Sequence, residues 1–137
     1  MKYLSGAVIV KDNKIIARAH NVKELKHDTT NHAEILAIKK ASKKLKNWRL
    51  EDCDIYVTLE PCSMCAGAII NSRIRKTYIG TMDEKTGACG SVLNLFKDYT
   101  FNHKVEMETG ILKKDCESLL KAFFKELRES KKNKCKN

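Results

Sequence analysis

The chain has 137 residues, 42% of them hydrophobic, which is one domain able to bury a core without disulfide staples and not a disordered tail. Lys and Arg number 27 against 17 acidic residues, a formal net charge of +10; this suits an anionic partner, nucleic acid being the commonest, and equally a lysine-rich surface kept for solubility. No signal peptide opens the chain and no apolar run approaches the roughly 20 residues that span a bilayer, so a cytoplasmic protein without a membrane partner is expected, its cysteines reduced.

In chain order, apolar runs at 5–10 and 14–20 flank Lys11-Asp12-Asn13 and read as a β-hairpin. Residues 21–31 are polar, with Asp28, Thr29, Thr30 and Asn31 as cap candidates, a loop leading into a helix. That helix runs from about His32 to Lys46. Ile35, Ile38, Ala41 and Leu45 form its apolar stripe. Lys39, Lys40, Lys43, Lys44 and Lys46 cover the other side, as a solvated face or a surface for phosphates. Residues 54–59 form a β-branched and aromatic strand, broken by Glu60-Pro61. A helix carrying Cys62 and Cys65 continues to about Ser72, and 76–80 is the next strand; this β–α–β order implies a parallel pair. Residues 81–103 are irregular, with a short helical turn around Leu93, Leu95 and Phe96, and long irregular stretches are often functional. Residues 105–108 alternate as a last strand. From Leu112 a long amphipathic helix follows, then a basic tail over about 129–137. The fold class is α/β: a three-layer α/β/α domain over 1–137, with a five-stranded mixed sheet and helices on both faces.

The chemistry is concentrated in His32-Ala33-Glu34 and Pro61-Cys62-Ser63-Met64-Cys65. One imidazole and two thiolates fill three corners around a tetrahedral zinc ion and leave the fourth to water, which marks a catalytic site. Cys62 and Cys65 share one face of their helix. Pro61 suits its first position, where the missing N–H costs nothing, and the positive end of the helix dipole favours the thiolates. His32 opens the other helix. Glu34 lies about 200° around that axis from it, off the ligand face, where a carboxylate can take a proton from zinc-bound water and hand it to a substrate nitrogen. Of the remaining cysteines, Cys53 and Cys116 read as small core residues and Cys89 and Cys135 as free, silent thiols. A lone C-x-x-C among six cysteines would be a chance pair or redox motif as readily as a metal site; the upstream H-A-E tips the balance.

The pairing H-x-E with P-C-x-x-C resembles the signature of the zinc-dependent cytidine and deoxycytidylate deaminase superfamily. Over about residues 6–128 the sequence resembles one branch of it, the bacterial tRNA-specific adenosine deaminases. The matching stretches are Gly6-Ala7-Val8, Asn21, His27-Asp28, His32 through Ile35, Tyr56 through Ile70, Ser72-Arg73-Ile74, Asp83, Lys85 through Ala88, Asn102-His103 and Phe123-Phe124. The T-L-E-P-C-x-M-C-A-G-A run and the D-x-K-T-G-A loop are the most specific. The resemblance implies a cytidine deaminase-like fold, a homodimer and one zinc ion per subunit. It also implies hydrolytic deamination of the wobble adenosine of a tRNA anticodon to inosine, by zinc-bound hydroxide with a glutamate proton shuttle.

Carried over by residue, the resemblance makes His32, Cys62 and Cys65 the zinc ligands and Glu34 the shuttle. Asn21 orients the flipped nucleotide or caps the hairpin exit, and Ala33 lies beside it in the substrate site. Asp83 touches a neighbouring nucleotide or closes a turn. Phe124, with Phe123, walls the pocket or fills the core. His27 is a loop residue or spare ligand, and Asn102 and His103 face RNA. An anticodon loop presents unstacked bases, which are cheaper to flip than bases in a duplex. In departure from the family pattern, only five residues stand ahead of Gly6, where the family carries a helix. Leu4-Ser5 stands for Pro-Val and Thr29 for Pro; these bear on stability and not on zinc chemistry. Two rivals stand beside this reading. A deaminase of free guanine, cytosine or nucleosides would share the zinc site and need no basic surface. A non-catalytic, zinc-stabilised nucleic-acid binder would use Cys89 or His27 to close the coordination sphere.

Overall fold

Two strands joined by a two-residue turn begin the sheet. β1 (Gly6–Lys11) and β2 (Lys14–His20) pair antiparallel. Asp12 and Asn13 between them both have positive φ, 52° and 61°, the turn geometry that matches strand twist and that Asp-Asn tolerates. The computed structural model describes residues 6–21 and 29–110. The expected helix from Leu112, the basic tail, His27, Asp28, Cys116, Cys135, Phe123 and Phe124 lie outside the described residues.

β1 pairs on its other side with β3 (Cys53–Leu59), antiparallel, and β4 (Lys76–Thr81) and β5 (Glu106–Thr109) follow in parallel. The sheet order is β2-β1-β3-β4-β5, the predicted five-stranded mixed sheet. β2 keeps its predicted bounds, and the other strands differ from theirs by a residue at one or both ends, the ordinary scatter of strand ends. The register sets Ile9 opposite Ile55 and Val57 opposite Ile79. Period-2 alternation then places Ala7, Ile9, Ile55, Val57 and Ile79 on one buried face. On the other face Tyr56 and Tyr78 stack with ring centroids 4.4 Å apart, and Lys76 Nζ lies 4.9 Å over the Tyr78 ring and 2.6 Å from Glu108 Oε1.

Helix α1 (Ala33–Leu45) keeps Ala41 of the predicted stripe and corrects the rest. Its fully buried positions are Ala33, Ala37 and Ala41; Ile38 and Leu45 are partly buried at the margin, and Ile35 is only half-buried. Residue size explains the difference: alanines let the helix approach β1 and β2 closely, so bulky residues are displaced to the flanks. The five lysines expected on the outer side, Lys39, Lys40, Lys43, Lys44 and Lys46, are exposed. Helix α2 (Ser63–Asn71) links β3 to β4, as the β–α–β order predicted. Ala66, Ile69 and Ile70 join it to the core that α1 also faces. Among the described residues no helix is long and apolar enough to cross a membrane.

These elements give the molecule two poles. From His32 to Lys46 α1 travels about 20 Å. It ends on Lys46 in the left-handed region, φ 53°, with the Asn47 N–H donating to the Ser42 carbonyl at 3.1 Å. Loop 46–52 turns the chain back into β3. Buried Leu50 anchors it, its N–H bonded to the Ser72 carbonyl at 2.7 Å, while Trp48 stays exposed beside Arg49 and Arg73. β3 and β4 both start at this pole and end at the other, where His32 and Cys62 sit. Residues 82–105 return to β5 without a regular helix. The expected turn near Leu93, Leu95 and Phe96 is a single one, with the Asp98 N–H on the Asn94 carbonyl at 3.0 Å and Asn94 Oδ1 accepting from Phe96 and Lys97.

Candidate metal centre and active site

His32 and Cys62 are each the residue before a helix begins, and both have extended backbone. This corrects the sequence reading in one respect. Pro61 stands ahead of the cap instead of at the first helical position, and its carbonyl accepts the Ala88 N–H at 2.8 Å. Cys65 lies in the first turn of α2. Three prospective metal donors therefore sit at two helix N-termini, where aligned peptide dipoles favour anionic sulfur and carboxylate.

The spacing of the donors fits a small tetrahedral ion. Sulfur at about 2.3 Å and nitrogen at about 2.0–2.1 Å from zinc, at tetrahedral angles, lie about 3.6 Å from each other. His32 Nδ1 lies 3.6 Å from Cys62 Sγ and 3.4 Å from Cys65 Sγ, and all three donor atoms fall within 4.8 Å of one another. Which imidazole nitrogen faces the sulfurs was not legible in the sequence. A hydrogen bond from Cys65 lowers the Cys62 thiol to about 5, against burial and helped by the amides of Cys65 and Met64 and by His32. The same bond, burial and Glu34 push Cys65 up. Among the described residues no fourth side chain joins the group, so Cys89 does not close it.

Glu34 is buried, in the first turn of α1. Burial raises its carboxyl above the usual range, against hydrogen bonds from its own backbone and from the Cys65 thiol. It therefore stands at the edge of the donor cluster without belonging to it. Asn21 Oδ1 accepts the Ala33 N–H at 2.6 Å, so this side chain caps α1. Ala33, fully buried, already donates that amide. Asp83 follows β4 at the same pole. Its Oδ1 accepts from the N–H groups of Lys85 (3.0 Å) and Thr86 (3.2 Å), and its Oδ2 from the Thr86 hydroxyl at 2.6 Å. Of the expected RNA-facing pair, Asn102 is exposed, and His103 lies with Nε2 2.7 Å from the Ile74 carbonyl oxygen, near where β4 begins, at the other pole.

Sequence reasoning passed over Glu60. It is only 3% exposed and is surrounded by donors from the 83–91 segment. The signal available was a charged residue at the end of an apolar strand, where a buried acceptor must find partners. Cys89, expected to be a silent free thiol, is fully buried. Burial and the charges of Glu60, Glu34 and Cys62 push its thiol well up.

The profile of the MafB19-like deaminase family matches residues 2–128. The tRNA-specific adenosine deaminase of Bacillus subtilis (strain 168) is 48% identical over 132 residues, covering 96% of this chain and 82% of that one. The chain belongs to the tRNA-specific adenosine deaminase family. Among solved structures, one from a study of A-to-I editing by tRNA A34 deaminases at the wobble position of transfer RNA is 44% identical. It superposes with a TM-score of 0.74, covering 77% of this chain and 82% of that one. A more distant likeness is the guanine deaminase of Bacillus subtilis, 32% identical with a TM-score of 0.58 over 88% of this chain and 79% of that one. The fold is therefore cytidine deaminase-like, as the family resemblance implied.

Proposed function

We propose that the chain converts adenosine to inosine by hydrolysis at the wobble position of a tRNA anticodon, with zinc held by His32, Cys62 and Cys65. The observation that carries this reading is a donor triad at tetrahedral spacing with a buried carboxylate at its edge. Its chain is 48% identical to a tRNA-specific adenosine deaminase.

Zinc, when bound, lowers the pKa of its water to about 7 and so supplies a nucleophile at neutral pH. Glu34 takes the proton that the water releases as oxygen bonds to C6 of the purine, and delivers it to the ring nitrogen. It then moves a second proton from the new hydroxyl to the amino group, which departs as ammonia. One buried carboxylate that accepts and returns protons suffices.

Asn21 orients the flipped nucleotide through its Nδ2, since Oδ1 is committed to α1. Ala33 serves the substrate site by fixing Asn21. Asp83 faces a neighbouring nucleotide, and Phe124 walls the pocket on the strength of the resemblance alone. The anticodon stem-loop is the partner, and a second copy of the chain completes a homodimer, also on that resemblance. The exposed lysines of α1 and the net charge of +10 suit phosphate contacts, so binding should weaken steeply with salt.

Sequencing anticodons after incubation with bulk tRNA tests the reading, and inosine at the wobble position is the expected result. Ammonia release from guanine, cytosine or free nucleosides, with no inosine in RNA, overturns it. Glu34→Ala should lower turnover by about 10²–10⁴-fold and leave the zinc content unchanged; turnover that persists removes Glu34 from its role.

A further inference from the structure

Glu60 is an acid buried between the end of β3 and the first donor cysteine, and among the described residues no cation pairs with it. Its Oε1 accepts from the Asp83 N–H at 2.9 Å and from the Ser91 hydroxyl. Its Oε2 accepts from the N–H groups of Cys89 at 2.8 Å and Ser91 at 3.0 Å. Gly87 lies directly against the carboxylate: a Cβ there would be 2.2 Å from Glu60 Cδ and 2.4 Å from Oε1, so any side chain at 87 would evict it. The backbone of Glu60 and Pro61 adds two ties, the Glu60 N–H to the Thr81 carbonyl and the Ala88 N–H to the Pro61 carbonyl, both 2.8 Å.

The segment from 83 to 91 is thus wrapped around one carboxylate that stands two residues ahead of Cys62. One part of the segment, Asp83, follows β4, which runs parallel to the strand that leads to Cys62. Another, Cys89, is fully buried, next to Ala88, whose N–H is tied to Pro61, the neighbour of the donor Cys62. We infer that Glu60 is a positioning residue for substrate: its carboxylate seats segment 83–91 as a wall of the nucleotide site beside Glu34 and the donor triad. The inference rests on the function proposed above. Glu60 touches neither metal donor nor substrate itself; it acts through the amides it gathers.

The charge state is what makes the seat work. A carboxylate offers acceptors on both oxygens, and both are used twice. A glutamine amide has one acceptor oxygen and one donor NH₂. Its best pose puts NH₂ at the Oε1 position, where the Ser91 hydroxyl can rotate to accept, but the Asp83 N–H is then left without a partner. The damage falls on Asp83, the residue proposed above to face a neighbouring nucleotide.

The test uses the zinc-loaded full chain and an anticodon stem-loop, with inosine formation, zinc content and melting temperature followed for wild type, Glu60→Gln, Ser91→Ala and the double variant. Glu60→Gln should raise KM for the stem-loop about tenfold or more and keep kcat within about threefold, with zinc content at the wild-type level. Ser91→Ala should raise KM in the same direction by about threefold, and the double variant should raise KM at least as far as Glu60→Gln alone, because Ser91 still accepts from the glutamine NH₂ in the single variant. An unchanged KM, a fall in kcat at constant KM, or a double variant with a lower KM than Glu60→Gln overturns the inference. If Glu60→Gln does not fold, Ser91→Ala decides alone, and an unchanged KM there is fatal. A wild-type chain that makes no inosine in RNA overturns the functional reading and this inference with it. An active wild type indifferent to both substitutions overturns only the inference.

Discussion

Asp83 is the residue whose behaviour follows most directly from its contacts. The Thr86 hydroxyl, then the Lys85 amide and the Thr86 amide, hold its carboxyl below the usual range. A folded-state pKa below the free value of about 3.9 means that the turn's stabilisation is complete above that value. It is lost as pH falls through the lower folded value. The amide resonances of Lys85 and Thr86 should therefore hold steady from pH 7 down to about 4 and move only below it. Movement centred on the ordinary carboxylate value would mean that the turn does not depend on Asp83.

At the scale of elements, α1 ends without a glycine. Lys46 occupies the left-handed region, which costs a residue with a Cβ about 1–2 kcal/mol, and glycine is the usual occupant there. Part of that gain is offset by the greater freedom glycine adds to the unfolded chain. Lys46→Gly should raise the unfolding free energy by about 0.5–1 kcal/mol in a denaturant titration; destabilisation would show that the lysine side chain makes a contact of its own. The same helix shows what pattern reading reaches. Its existence, its basic face and the placing of His32 and Glu34 at its start were legible, because periodicity and motif spacing are local properties. Of the alanine seam only Ala41 was, because hydrophobicity ranks isoleucine above alanine and only the distance to the sheet reverses that order. The role of Glu60 was hidden for another reason: its partners are mostly backbone amides from residues 83, 89 and 91, which have no side-chain signature. The D-x-K-T-G-A run and the T-L-E-P-C run were each visible, but not that Gly87 leaves space for Glu60.

For the whole molecule, the donor triad ties the N-terminus of α1 to that of α2 across some thirty residues of chain. An ion that binds the folded form and not the unfolded one adds about 2.7 kcal/mol when its free concentration is a hundredfold above its dissociation constant. Stripping with a chelator should lower the melting temperature, and zinc should restore it where magnesium does not, since two thiolates and an imidazole suit a softer ion. A melting temperature indifferent to chelation would remove the metal from this account.

The two-pole layout has a practical consequence. Because the loop after Lys46 is about 20 Å from His32, foreign sequence spliced in between Asn47 and Trp48 should leave catalytic constants within about twofold. The same graft one or two positions later would dislodge Leu50, whose amide is tied to Ser72. A fluorescent reporter or an affinity handle placed at that gap would make the enzyme traceable without crowding its mouth.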